Sequence, residues 1–129
     1  MLTVEFSRGR LQRLRQVLQQ EQLDAAVIGL PEHVYYFSAF FTNWIHFSAL
    51  ALTADGQSFL VTPNAPAENT AADEVASYEA QWNATLRSEQ PREVARHIIP
   101  WLTKKGAEKI GIDAAIVNSQ LALQWNRPL

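Results

Sequence analysis

The stretch FSALALTADGQSFLVTP, residues 47–63, does most to decide how this chain folds. Two apolar segments, residues 47–53 and 58–62, flank Asp55-Gly56, a dipeptide typical of the two-residue turn of a β-hairpin. The pattern therefore predicts that the two segments are strands, and that they pair with each other in antiparallel orientation.

A helix, a buried strand and a second helix are predicted upstream of this hairpin. Ser7 is a residue type that often caps a helix, and the apolar residues after it recur at helical spacing: Leu11, Leu14, Val17 and Leu18. The apolar run LDAAVIGLP predicts a strand over residues 24–29 that is buried on both faces. Because proline fits the first turn of a helix, the next segment is predicted to be a short helix that begins at Pro31.

Strands and helices continue to alternate downstream of the hairpin. Residues 63–74 are predicted to form a loop that runs into a short helix, and the alternating VASYEA, residues 75–80, predicts a strand. A longer helix is predicted from Pro91 to a stop signal at Gly106. Because a proline ring clashes with the preceding turn, this helix is predicted to kink or break at Pro100.

The last predicted elements are a short strand at EKIGID, residues 108–113, and a helix capped by Asn118 or Ser119. The alternation predicts an α/β fold with a mixed sheet of about five to six strands, one antiparallel hairpin, and helices on both faces. With 129 residues and 47% hydrophobic content, residues 1–129 fit one domain.

Composition excludes several classes of partner and site. Eleven Lys and Arg against thirteen Asp and Glu give a net charge of -2, so neither nucleic acid nor an anionic membrane is predicted as a partner. The absence of Cys excludes disulfides and thiolate chemistry. The N-terminal residues lack the apolar segment of a signal peptide, and no apolar run approaches the roughly 20 residues that span a bilayer. A cytoplasmic protein is therefore expected.

The sequence offers no catalytic or metal-binding constellation. The three histidines, His33, His46 and His97, lack the spacings that bring two imidazoles to one metal ion. No Gly-x-Ser-x-Gly motif and no glycine-rich phosphate loop occurs. Four acidic residues are interpreted as a solvated surface rather than as paired catalytic carboxylates: Glu68, Asp73, Glu74 and Glu79. We therefore predict no catalytic residue and no metal ligand in this chain.

The aromatic segment YYFSAFFTNWIHF, residues 35–47, is the chain's candidate contact surface. Its first three residues, 35–37, lie where a short helix would pack on the sheet and are predicted to belong mostly to the core. From Phe40 to His46 the sequence follows neither the helix period nor the strand period, and Thr42-Asn43 indicates a loop over residues 41–46. Large aromatic side chains on a loop commonly form an interface or close a pocket.

The order of these parts resembles the N-terminal domain of the creatinase, prolidase and aminopeptidase P family of pita-bread metallohydrolases, which has a ribonuclease H-like fold. The resemblance runs through LDAAVIGLPEHVYYFSAF, the hairpin ALALTADGQSFLVTPN and AEKIGIDAAIV, and covers nearly the whole chain. His33 and the segment 38–40, Ser-Ala-Phe, replace the Asn and the Thr-Gly-Phe of many members. These replacements make the proline-peptidase branches a poorer match, whereas Tyr35-Tyr36 and the aromatic loop are more similar to the creatinase-like branch.

The resemblance implies that the chain is a non-catalytic domain. In such proteins a dinuclear divalent-metal site lies in a C-terminal catalytic domain, which is absent from residues 1–129, although creatinase-like members can act without metal. The N-terminal domain helps to form a homodimer and overhangs the active site. The parent protein is then expected to be a metal-dependent hydrolase, either a peptidase or a creatinase-like amidinohydrolase, that acts on a small-molecule or peptide substrate, while this chain alone is inactive.

The resemblance also assigns candidate residues in the loop. In the creatinase branch an aromatic and a cationic residue of this loop point toward the partner's substrate, and Trp44 and His46 occupy those positions here. With Phe41 and Asn43 they form the expected substrate-gating or dimer-interface set. A Trp face can cover a small polar substrate, and an imidazole can pair with a carboxylate. At the cationic position His46 replaces a permanently charged Arg, so the resemblance does not decide whether creatine itself is the substrate.

A second hypothesis remains open beside the first. Some relatives keep this architecture without metal ligands and use it to hold proteins, in which case the chain is a stand-alone interaction module and the aromatic loop is its contact surface. The sequence of the gene beyond Leu129 separates the two hypotheses.

Overall fold

The computed structural model of the chain describes residues 3–41, 46–80 and 89–125. Within these residues a five-stranded sheet lies between two pairs of helices. In chain order the elements are α1 (Val4–Gln20), β1 (Ala25–Ile28), α2 (Pro31–Ser38), β2 (Ala49–Thr53), β3 (Ser58–Pro63), β4 (Glu74–Tyr78), α3 (Glu89–Lys104), β5 (Ile110–Ile112) and α4 (Val117–Gln124).

The sheet is mixed, as the sequence predicts. Its strand order is β4-β3-β2-β1-β5, with antiparallel pairing of β1 with β2 and of β2 with β3. The two outer pairs, β3 with β4 and β1 with β5, are parallel. The hairpin is confirmed, but its turn has three residues, 54–56, instead of two, because the Thr53 N–H donates to the carbonyl of Gln57, the residue just before β3, at 2.8 Å. Gly56 ends this turn with a φ of 95°, which favours glycine.

Both faces of the sheet are covered, which confirms the predicted layer arrangement. Alternate residues of β1 and β2 point to opposite faces, so that Ala25 and Val27 meet α3 and α4 while Ala26 and Ile28 meet α1 and α2. Leu50 and Leu60 lie on the α1 side and have no exposed surface. Burial of a side chain of this size stabilises the fold by about 1.5–3 kcal/mol.

The first helix begins earlier than predicted. Its N-cap is Thr3, whose hydroxyl accepts a hydrogen bond from the Phe6 N–H at 3.3 Å. Ser7, the predicted cap, lies inside the helix, where it is fully buried and donates to the Tyr36 carbonyl at 3.0 Å. The prediction of Ser7 as the cap was therefore wrong, because this hydroxyl ties α1 to α2 instead.

Two further predictions about regular structure differ from what the structure shows. The short helix predicted within residues 63–74 does not form; left-handed backbone at Asn64 and Asn69 interrupts that segment, with φ values of 68° and 54°. Of the kink or break predicted at Pro100, the break is absent, since α3 runs without interruption through this residue. Proline has no N–H, so the carbonyl group four residues earlier lacks its helical hydrogen-bond donor. Because Pro100 is on the exposed side of α3, water can solvate that carbonyl, while the buried side of the helix keeps its packing.

The start of α4 corrects another prediction. Neither Asn118 nor Ser119 is the N-cap, because the helix begins at Val117. Asn118 is buried in the first turn, and its amide donates to the Val27 carbonyl at 3.2 Å and to the Asp113 carboxylate at 2.8 Å. A polar residue before an apolar run suggested a cap, whereas here the amide holds α4 against the end of β1.

Candidate functional site

The loop between α2 and β2 is fixed where it leaves α2. Ala39 ends the helix in left-handed backbone, with a φ of 64°. Ser38 is fully buried; its hydroxyl donates to the Val34 carbonyl at 2.5 Å and accepts from the Phe40 N–H at 3.1 Å. The Ser38 carbonyl accepts from the Ala71 N–H at 2.9 Å. These bonds determine the direction in which the loop starts.

The same loop is fixed again where it enters β2. The Phe47 N–H donates to Oε1 of Gln90 at 3.1 Å, and the Tyr78 hydroxyl donates to the Phe47 carbonyl. Gln90 is only 1% exposed, and Tyr78 is buried as well. Burial raises the pKa of Tyr78 well above its ordinary value, so the phenol keeps the proton that it donates to the Phe47 carbonyl.

Two of the four predicted site residues lie at these fixed ends. Phe41 is 69% exposed and meets the Tyr35 ring edge to face, with 5.8 Å between the ring centroids. His46 is half-buried, and its Nδ1 lies 3.3 Å from Nε2 of Gln90. The other two, Asn43 and Trp44, lie outside the described residues. The structure therefore places Phe41 and His46 at opposite ends of one anchored loop.

The prediction that residues 35–37 are core anchors was wrong for Tyr36. This side chain is 44% exposed, and the Arg10 guanidinium lies 4.2 Å from its ring centroid. Phe37 is partly buried against the α1 side of the sheet, while the fully buried residues of α2 are Val34 and Ser38. Their spacing of four residues makes them the inner face of the helix, which turns Tyr36 outward.

Asp113 organises a second polar cluster, which the sequence reasoning missed. Its carboxylate follows β5 and is 13% exposed. Its donors are the backbone N–H groups of Gly29, Leu30 and Ala115, the Asn118 amide and Nδ1 of His33, at 2.8–3.3 Å. The cluster joins the start of α2 to the turn before α4, beside the ends of the parallel strands β1 and β5.

The Asp113 cluster serves structure rather than ligand binding. Ligands of open α/β sheets often bind beyond the carboxyl ends of the strands, where this carboxylate lies. Here, however, the chain itself supplies five donors to the two oxygens of Asp113. Only two features of the sequence indicate this cluster: the presence of His33, and the place of Asp113 directly after a predicted strand.

The described residues do not fit a metal centre. Among residues 3–41, 46–80 and 89–125 no group of three or more His, Asp or Glu side chains could hold a metal ion. Two acidic residues make structural hydrogen bonds: Asp73 accepts from the Ser58 hydroxyl at 3.2 Å, and Glu74 accepts from Trp101 Nε1 at 2.7 Å. None of the four helices in these ranges has the length and apolar content needed to cross a bilayer.

Comparison with known proteins gives a consistent result. The model of the creatinase/prolidase N-terminal domain family matches residues 10–128. No curated protein sequence matches the chain significantly.

Among solved structures, the N-terminal domain of Xaa-Pro dipeptidase from Lactobacillus brevis aligns with a TM-score of 0.64 and 15% identity, covering 93% of this chain and 90% of that one. Xaa-Pro dipeptidase from Bacillus anthracis aligns with a TM-score of 0.66 and 14% identity, covering 95% of this chain and 32% of that one. The N-terminal, creatinase/prolidase-like domain of a Corynebacterium diphtheriae protein aligns with a TM-score of 0.59 and 16% identity, covering 95% of each chain. At such identities the likeness shows the fold, and it confirms the predicted α/β architecture.

Proposed function

Because this chain belongs to the creatinase/prolidase N-terminal domain family, we propose that it is the non-catalytic N-terminal domain of a metal-dependent C–N bond hydrolase. The parent enzyme is a peptidase or a creatinase-like amidinohydrolase, and this domain contributes to dimer formation and to substrate gating. The chain corresponds to 32% of the length of the Bacillus anthracis relative, which leaves room there for a separate catalytic domain.

The observation that carries the gating role is the doubly anchored loop between α2 and β2. Its ends are held by buried groups, Ser38 on one side and Gln90 with Tyr78 on the other. Between them the loop carries an exposed aromatic ring, Phe41, and a half-buried imidazole, His46. Because both ends of the loop are held by hydrogen bonds, the loop loses less conformational entropy when it closes over a ligand.

Trp44 and His46 are the residues to which we assign contact with the substrate of the partner subunit. An indole face excludes water from a small polar substrate, and an imidazole donates to a carboxylate. Phe41 and Asn43 complete the contact surface. A dinuclear divalent-metal site belongs to the catalytic domain in this proposal, and the described residues of this chain supply no ligand set for it.

One observation favours a second candidate function. The Phe41 side chain is 69% exposed at the hydrogen-bonded start of the loop, and such a position suits a protein-binding surface as well as a substrate lid. If the gene encodes no metal-binding domain after residue 129, the chain is an interaction module, and the same loop contacts a protein partner.

A comparison of two proteins tests the proposed function. The product of the complete gene and the chain of residues 1–129 are purified and assayed with Xaa-Pro dipeptides and with creatine, with Mn²⁺ or Zn²⁺ added. We expect turnover, bound metal and a dimer for the complete product, and neither turnover nor bound metal for residues 1–129. Turnover by residues 1–129 would overturn the proposal, and a complete product without metal or turnover would favour the interaction module.

A further inference from the structure

A cleft of about 290 Å³, the α1 cleft, lies between α1 and the sheet. Helix α1 supplies Arg8, Gln12 and Arg15 to one side of it, and Ser58 and Asp73 stand on the other side. A cleft of this volume is near the lower end of the range that ligand pockets span. The α1 cleft therefore suits a small molecule rather than a polymer.

Part of the lining of the α1 cleft is apolar. Leu11, Leu52 and Ala71 line it, and all three side chains are buried within the fold. Ligand pockets typically combine such an apolar lining with a few polar groups that fix the orientation of the ligand. The apolar part of a ligand would therefore lie against these three side chains.

Two guanidinium groups stand on the same stripe of α1. Arg8 and Arg15 are seven residues apart, which is two helical turns or about 10.5 Å along the helix axis. Nε of Arg15 donates to the Ala54 carbonyl at 3.1 Å, which holds this side chain beside the hairpin turn. Within the described residues, the terminal nitrogens of Arg15 and the guanidinium of Arg8 have neither a hydrogen bond nor a carboxylate partner. Such donors suit the carboxylate of a ligand.

A carboxylate faces the α1 cleft from the sheet side. Oδ2 of Asp73 accepts from the Ser58 N–H at 3.0 Å and from the Ser58 hydroxyl at 3.2 Å, so this side chain is fixed at the start of β3. In the part of the chain that the structure describes, Oδ1 accepts no hydrogen bond, and neither Arg8 nor Arg15 forms an ion pair with Asp73. The cleft thus offers a free acceptor as well as free donors.

The opposite charges on the two sides of the α1 cleft determine which ligand fits it. A simple anion would pair with the arginines but be repelled by Asp73, and a simple cation would pair with Asp73 but be repelled by two arginines. A zwitterion meets both, with its carboxylate against a guanidinium group and its ammonium group against Asp73. An apolar side chain between these two charges would cover the apolar lining.

We propose that the α1 cleft binds a small zwitterion with an apolar side chain, a free α-amino acid or a dipeptide, through Arg8, Arg15 and Asp73. The cleft shares no residue with the loop between α2 and β2, so binding there does not depend on the proposed gating role. Arg8 and Asp73 are exposed and therefore hydrated in the free chain, which limits the affinity to a Kd on the order of 1 mM.

Titration of the ¹⁵N-labelled chain with L-leucine at about pH 7, followed by two-dimensional NMR, tests the proposal. We expect saturable shifts of the backbone signals of Gln12, Gly56 and Ala71. Two analogues each lack one charge: 4-methylpentanoate has no ammonium group, and 3-methylbutylamine has no carboxylate. Each should bind roughly five- to tenfold more weakly than L-leucine. No saturable shift with L-leucine, or an analogue that binds as tightly, would overturn the proposal. Glycyl-L-leucine shows which of the two ligand sources binds more tightly, and tighter binding of either agrees with it.

Three variants of matched size assign the charges. Asp73→Asn keeps an oxygen for the Ser58 donors, and it should weaken L-leucine roughly five- to tenfold while 4-methylpentanoate binds no more weakly than before. Arg8→Gln should weaken L-leucine to a similar degree without weakening 3-methylbutylamine. Arg13→Gln is the control, because Arg13 lies on α1 but does not line the cleft. Unchanged L-leucine binding in Arg8→Gln, whose exposed side chain makes no bond that folding needs, would overturn the proposal, and so would an equal loss in Arg13→Gln.

Discussion

Replacing Asp113 with Ala is expected to lower the free energy of unfolding by about 3–5 kcal/mol, because it leaves several buried donors without an acceptor. The carboxylate joins two parts of the chain that are far apart in sequence, residues 29–33 and 113–118, and its bond to the Gly29 N–H spans 84 residues. Its side chain is 13% exposed, so water cannot replace all of the lost bonds. Urea denaturation followed by circular dichroism measures the change.

Two variants serve as controls for this prediction. Asp113→Asn keeps the size of the side chain but turns one acceptor into a donor that faces N–H groups, so it should lose most of the same stability. His33→Ala removes one donor that is 49% exposed, and it should cost no more than about 1 kcal/mol. Equal losses for Asp113→Ala and His33→Ala would contradict the central place of the carboxylate.

Gly29→Ala is expected to destabilise the fold by about 3 kcal/mol, because the chain has no room for a methyl group at this position. A Cβ atom there would lie 2.1 Å from Cγ2 of Val117 and 2.8 Å from Cβ of Ala115. A rotation of Val117 could relieve the first clash, but the Ala115 methyl has no rotamer that relieves the second. The turn before α4 would therefore have to move away from β1.

Gly9→Ala is the matched control for this second prediction. A Cβ atom at Gly9, within α1, would meet no atom within 4 Å. Because alanine favours the helix, Gly9→Ala should raise the free energy of unfolding by about 0.5–1 kcal/mol. Thermal or urea denaturation of the two variants should therefore give changes of opposite sign. A Gly29→Ala chain as stable as the unchanged chain would show that the contact between β1 and α4 is loose.

Features that depend on neighbouring residues were predictable from the sequence. The Asp55-Gly56 turn and the first-turn Pro31 both act within a few residues, and both elements form where the pattern places them. The exact loop length was not predictable, because Asp-Gly also occurs in three-residue connections. The layer order followed from the alternation of the two element types.

Features that depend on distant contacts were not predictable. Ser7 and Asn118 are typical cap residues, yet the first bonds to Tyr36 and the second to Val27, 29 and 91 residues away. Gln90 carried no signal as a glutamine at the start of a helix, and its partner Phe47 lies 43 residues earlier. Such side chains are satisfied by tertiary contacts that no local period encodes. The aromatic segment between α2 and β2 could be singled out because its residues fit no period, whereas the buried groups that hold its two ends could not be predicted.

The most direct test of the gating role is the turnover of the complete gene product after His46→Ala and after Trp44→Ala. Metal content and oligomeric state are measured alongside, and Leu123→Ala, at a side chain that is 79% exposed on α4, serves as the control. We expect each loop variant to raise KM by about tenfold or more, while the metal content stays unchanged and the control behaves as the unchanged protein. Unchanged kinetics and an unchanged oligomeric state in both loop variants would contradict it.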